Sequence, residues 1–207
     1  TRTAYRLTEK MHEEHPEALS QLSKGHAYDM STNIFERLPQ IFYNEKPNDG
    51  YEYIQILGRE NNERIYKYIR KNFVNTVKNL YSYKIFIPKA SGSGAFGEIF
   101  SNLIIAKPSI GATETFLSIG IFDTEIEAQN AMKYIKSKFS RTMLGILKTT
   151  QDITPEKFKY VPLQDFTANS DIDWTQPIPD IDRQLYAKYG LTPEEIDFIE
   201  THVKEME

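Results

Sequence analysis

His12-Glu13-Glu14-His15 sets two imidazoles three residues apart, a pair that holds a metal only when further ligands join it. The H-E-x-x-H spacing is absent and no further ligand set is visible, so no metal ligand is assigned. Gly92-Ser93-Gly94-Ala95-Phe96-Gly97 fits the G-x-G-x-x-G pattern after a strand-like run. A phosphate-binding loop of that type needs a long helix next, whose N-terminus holds the anion. Only residues 98–107 separate Gly97 from Pro108, and they include the strand-like Leu103-Ile104-Ile105-Ala106, so nucleotide or methyl-donor binding is the weaker reading. The same Ser/Gly turn, with Ser91 and Ser93 following the strand that carries Lys84 and Lys89 and between these lysines and the basic hairpin, suits close approach of backbone N–H groups and hydroxyls to DNA phosphates; a turn without contacts is the plainer alternative. Lys148-Thr149-Thr150-Gln151-Asp152 carries phosphate donors and one amide able to pair bidentately with adenine, or else is a polar loop. Asp152, Glu156, Lys157 and Lys159 fall short of the acid-plus-lysine set of metal-dependent nucleases. Their spacing is wrong and the acids are too few, which leaves surface charge. No Ser/His/Asp order with a nucleophile elbow occurs, and His26 and His202 have no evident partner, so no catalytic residue is assigned.

The elements that must position these residues follow from local pattern. Residues 8–40 read as helical and polar, with Ser31 as a cap before Ile34, Phe35 and Leu38 and a stop at Pro39. Residues 46–50 form a loop. Residues 51–57 alternate, 58–62 supply turn residues and 63–70 alternate again, which predicts a β-hairpin with a basic second strand. Further strands are expected at 83–88, 103–106 and 115–121, with Pro108 and Gly111 separating the last two. Thr124 and Glu127 make a capping box for a helix running to about Lys148. Ala128, Ala131, Met132, Ile135, Phe139, Met143 and Ile146 form its apolar stripe, with Lys133, Lys136, Arg141 and Lys148 facing outward. Thr192-Pro193-Glu194-Glu195 opens a last helix, and Trp174 reads as a packing anchor rather than a base-stacking platform. The expected fold class is α+β: a mixed β-sheet packed against a long amphipathic helix, with a C-terminal helical tail.

The chain has 207 residues, enough to bury a real core, and no cysteine, which excludes disulfides and thiolate metal sites and suits a reducing cytoplasm. No stretch approaches a membrane span, and no membrane partner is expected. The start at Thr1-Arg2-Thr3, without an initiator Met, reads as a segment of a longer polypeptide. A net charge of -4 disfavours a nucleic-acid binder until its distribution is seen. Residues 161–207 hold 3 Lys/Arg against 11 Asp/Glu, whereas 59–89 hold 8 against 2 and 133–159 hold 7 against 2. Such basic windows are solvated surface in most proteins, and a phosphate-binding face in some.

One long run, from Tyr83-Lys84-Ile85-Phe86-Ile87-Pro88-Lys89 through the Ser/Gly turn and Thr113-Glu114-Thr115-Phe116 to Tyr160-Val161-Pro162-Leu163-Gln164-Asp165-Phe166, carries a family resemblance. It continues through Asp171-Ile172-Asp173-Trp174 and Leu185-Tyr186-Ala187-Lys188-Tyr189-Gly190-Leu191. The run resembles the C-terminal target-recognition region of adenine-specific DNA methyltransferases from bacterial type II restriction-modification systems, many of which also carry a nuclease domain. The resemblance implies sequence-specific binding of double-stranded DNA by residues 1–166, an acidic helical tail at 167–207 packed on them, and a bacterial cytoplasmic protein. Family members bind S-adenosylmethionine, and Mg where a nuclease is present, in other domains. The Asn/Asp-Pro-Pro-Tyr/Phe loop that holds the flipped base is not in this sequence, so the chain alone is expected to lack both chemistry and cofactor. Expected DNA-binding residues are Lys84, Lys89, Ser91, Ser93, Lys148, Thr149, Thr150 and Gln151. The expected partners are duplex DNA and the catalytic methyltransferase domain of the same polypeptide. A protein-docking module of that enzyme, or an independent nucleotide-binding enzyme, are the alternatives. Residues 1–82 resemble the family less tightly, and the hairpin at 51–70 is where a specificity-determining segment is expected.

Overall fold

The computed structural model describes residues 5–90, 95–100, 102–146 and 154–206. In chain order these form α1 (Glu9–Glu14), α2 (Ala18–Gln21), α3 (Ile34–Arg37), β1 (Tyr53–Glu60), β2 (Glu63–Arg70), β3 (Tyr83–Pro88), β4 (Ile104–Ala106), β5 (Ile110–Ala112), β6 (Phe116–Phe122), α4 (Glu125–Lys136), α5 (Lys138–Gly145), α6 (Ile178–Tyr189) and α7 (Pro193–His202). Short 3-10 turns lie at Pro39–Ile41, Lys71–Phe73, Lys78–Tyr81 and Pro155–Tyr160. The fold is α+β, with two three-stranded sheets ordered β2-β1-β5 and β4-β3-β6. The chain divides into two compact units, Arg2–Phe86 with Ala106–Ile121 and Ile87–Ile105 with Phe122–Glu207.

In the first unit the β1/β2 hairpin follows the sequence pattern, and its register runs from Tyr53 opposite Arg70 to Glu60 opposite Glu63. That leaves Asn61 and Asn62 as a two-residue loop, at φ 50° and 64°. Positive φ at both central positions is what a type I′ turn requires, and asparagine tolerates it better than most residues. β5 pairs parallel with β1, Ile56 opposite Gly111, so the sheet is mixed. Gly111, read from sequence as a separator, is therefore inside a strand. Residues 8–40 do not form a long helical stretch. Pro16 disfavours helical backbone at His15, which caps α1 at φ -130° and ψ 65°, and Gly25 sits at φ 82°. Asn33, not Ser31, is the N-cap of α3, while the Ser31 carbonyl accepts the Ile34 N–H at 3.1 Å.

Gly58 in β1 meets the α3 side of this unit. A Cβ there would lie 2.5 Å from Phe35 Cε2 and 2.9 Å from Thr113 Cγ2. Phe35 is 1 % exposed and packed edge-on against Phe42, so it has little room to yield. Gly58→Ala is expected to cost about 1–3 kcal/mol of stability through overpacking. Thermal unfolding measures it, and an unchanged Tm would show that the Phe35 ring relaxes freely.

In the second unit the predicted long helix is two helices. The Thr124 hydroxyl accepts the Glu127 N–H at 3.2 Å, as the capping box requires, but the Glu127 carboxylate reaches the N–H of Asp123 rather than that of Thr124. The break comes at Ser137, at φ -58° and ψ 149°, whose hydroxyl donates to the Tyr134 carbonyl at 2.7 Å and accepts the Ser140 N–H at 3.1 Å. One serine thus closes α4 and opens α5. Ala128, Ala131, Ile135 and Phe139 of the expected stripe are buried, and Ile146 is exposed.

Residues 167–206 supply much of this unit's core. Ile172, Trp174, Ile181, Leu185, Tyr186, Ile199 and Val203 pack with Tyr134 and Phe139. Trp174 is 4 % exposed, and its indole N–H is bonded to the Asp165 carbonyl at 2.9 Å and the Ser170 hydroxyl at 3.0 Å. Gly190 ends α6 in the left-handed region, φ 64°, which lets the Leu191 N–H return to the Tyr186 carbonyl at 3.0 Å. α7 opens with both arms of its capping box, Thr192 and Glu195, in place.

Candidate nucleic-acid interface

Of the eight residues expected to touch DNA, Ser91, Ser93, Lys148, Thr149, Thr150 and Gln151 lie outside the described residues. Lys89 is half-buried at the end of β3. Lys84 corrects the expectation. It is 0 % exposed, and its ammonium donates to the carbonyls of Leu80 and Ser82 at 3.1 Å each and of Lys107 at 2.9 Å. Three acceptors take its three protons, so no donor is left for a phosphate. Burial pulls its pKa down from 10.5 to about 7.

The basic windows are largely consumed in the same way. In residues 59–89, Arg59 bonds the Asn62 carbonyl, Lys67 pairs with Glu60 at 2.5 Å, Arg70 with Glu14 at 2.8 Å and Lys71 with Glu52 at 2.8 Å. On α4, Lys133 donates to the carbonyls of Trp174 at 2.7 Å and Gln176 at 3.1 Å rather than facing outward. Arg141 of α5, also expected outward, is 2 % exposed and is bonded to four carbonyls: Lys136, Gly97, Glu98 and Lys204. Lys78 and Lys107 are exposed cations with no ion-pair partner among the described residues.

The hairpin base and the 3-10 turn after β2 build an open groove of about 460 Å³, lined in part by Tyr51, Lys71, Asn72, Val74, Asn75 and Thr76. That volume is within the roughly 300–1,000 Å³ of sites that take small organic groups. Arg70 stacks on the Tyr51 ring, 3.6 Å from its centroid, and fixes that wall. The Lys71 N–H donates to the Glu52 carbonyl at 2.8 Å, and the side-chain bond between the two holds Glu52 below and Lys71 above their ordinary pKa values. The Thr8 hydroxyl donates to the Asn72 carbonyl at 2.7 Å, and Phe73, 2 % exposed, anchors the turn. The groove therefore presents amides and hydroxyls more than net charge. The basic composition of 59–89 pointed to this segment, but nothing in the sequence singled out its asparagines.

Burial perturbs Asp182 as well. Both its oxygens accept N–H groups at the start of α5, from Lys138 at 3.0 Å and Phe139 at 2.9 Å. Burial at 2 % exposure pushes its pKa up from 3.8 to about 6. The native state then holds more protons than the unfolded chain between pH 3.8 and about 6, so this group's contribution to stability falls as pH rises through that window. Asp182→Asn is expected to remove that slope, read as the difference between wild-type and variant Tm against pH. Parallel curves would contradict the assignment.

The remaining candidate chemistry is dispersed. His12 Nε2 lies 2.7 Å from the Ala27 carbonyl and His15 Nδ1 3.1 Å from Glu17. Among the described residues no group of three or more His, Asp or Glu is placed to hold a metal ion, and no helix is long and apolar enough to cross a membrane. Between Gly97 and β4 the described residues form no helix to hold a phosphate. No protein-family model, curated protein or solved structure matches the chain.

Proposed function

We propose that this chain is the target-recognition part of an adenine-specific DNA methyltransferase of a restriction-modification system. In this reading it binds duplex DNA and presents it to catalytic domains elsewhere in a longer polypeptide, which bind S-adenosylmethionine. The observation that carries the reading is the groove beside the β1/β2 hairpin. Its neutral amides and hydroxyls are the groups that read base edges, which phosphate-binding lysines alone do not. It lies in the segment where the family resemblance is loosest and where the specificity-determining part is expected. Lys78 and Lys107, in the same unit as the groove, are exposed cations available for phosphate contacts. Lys84 and Arg141 have no part in this, being spent on backbone carbonyls.

Fluorescence anisotropy with a mixed-sequence duplex tests the reading. Affinity is expected to fall with salt, by a slope of about -0.9 for each phosphate neutralised. Lys78→Ala with Lys107→Ala should flatten that slope by about two contacts' worth. Absence of duplex binding at low salt would remove the reading.

A further inference from the structure

We infer that Asn72 is an adenine-reading residue of this groove. The inference rests on the DNA-recognition reading and names the base edge that the groove fits. Asn72 sits in the single turn Lys71–Phe73, whose backbone is held by the Thr8 hydroxyl on the Asn72 carbonyl at 2.7 Å and by buried Phe73. Its side chain is exposed in the groove, and its amide has no partner among the described residues. A free amide offers one acceptor and one donor side by side. In the major groove adenine presents the matching pair, the N6 amine beside the N7 acceptor, whereas guanine presents two acceptors and repels the amide oxygen.

Asn75 differs. Its Oδ1 accepts the Arg6 N–H at 2.7 Å and its backbone N–H donates to the Arg6 carbonyl at 2.9 Å, so its amide is already anchored to the backbone of Arg6. Lys71 is next to Asn72 in sequence, but its charge is opposed by Glu52 at 2.8 Å, which leaves the amide as the selective group.

The test uses the 207-residue chain and a site selected from a randomised duplex pool, rebuilt with 7-deazaadenine at each adenine in turn. Removing N7 at one adenine is expected to cost the wild type about tenfold in affinity. Asn72→Ala should lose about the same on the natural site and nothing more on the analogue. Asn72→Asp, which replaces the donor with a second acceptor, should lose more than Asn72→Ala. Circular dichroism confirms that the variants, altered only at an exposed side chain, keep the fold. If wild type and Asn72→Ala lose equally on the analogue, the assignment of Asn72 is overturned and DNA reading by other residues stands. If the pool yields no enriched site for the wild type, the DNA-recognition reading itself fails and this assignment with it.

Discussion

Arg141→Met is expected to destabilise the second unit by about 3–5 kcal/mol, because several buried carbonyls lose a charged donor at once. The guanidinium is bonded to the carbonyls of Lys136 and Gly97, at 2.9 Å each, and of Glu98 and Lys204, so three separate stretches of chain meet on one side chain. Removing it strands those acceptors and takes away a positive charge that favours the ionised form of Asp182. Arg141→Lys should rescue little, because a single ammonium cannot span directions that a planar fork of five donors covers. Urea unfolding followed by fluorescence of Trp174, the only tryptophan and a member of the same core, reports the change directly. The expected result is a lower midpoint at unchanged slope. A loss below about 1 kcal/mol would mean that the carbonyls find other donors.

Lys84→Met is the second large effect. The Leu80 carbonyl keeps the Ser109 N–H at 2.7 Å after the substitution, but among the described residues no other donor is seen for those of Ser82 and Lys107. Two stranded acceptors predict a loss of about 2–4 kcal/mol. Lys84→Glu would press a carboxylate against the same oxygens and should fail to fold. Charge reversal at this position therefore reports on folding, not on DNA contact. Scanning calorimetry of Lys84→Met measures the first effect, and its duplex-binding salt slope should equal that of wild type. A flattened slope with intact stability would return Lys84 to the surface role expected from sequence.

The reason that role misled is visible in the strand itself. Counting lysines gives charge but not direction, and in Tyr83-Lys84-Ile85-Phe86-Ile87-Pro88 every residue from Lys84 to Pro88 is buried. A lysine embedded in an apolar run was the available signal, since alternation puts it on the same face as Phe86. Arg141 misled similarly, because helical periodicity assigns a face only while the helix is continuous. Ser137 interrupts it, and the apolar stripe reads smoothly across the break because Ile135 and Phe139 are buried on either side. β5 was illegible since Pro108 and Gly111 look like breakers, and its three residues are specified by pairing to β1 rather than by local propensity. What local chemistry dictates was legible: the hairpin from its alternation, α7 from its capping box, and Trp174 as an anchor. The groove lay in the basic window 59–89, but the positions of Asn72 and Asn75 depend on contacts to Thr8 and Arg6, more than sixty residues away in sequence.

Selection of the 207-residue chain on a randomised duplex pool at low and moderate salt, with sequencing of the retained DNA, tests sequence-specific recognition most directly. Enrichment of one short motif containing adenine is expected, sharper at the higher salt as non-specific phosphate binding is screened. Retention that falls with salt without any enriched motif would contradict it, because phosphate contacts would then be all that the chain makes.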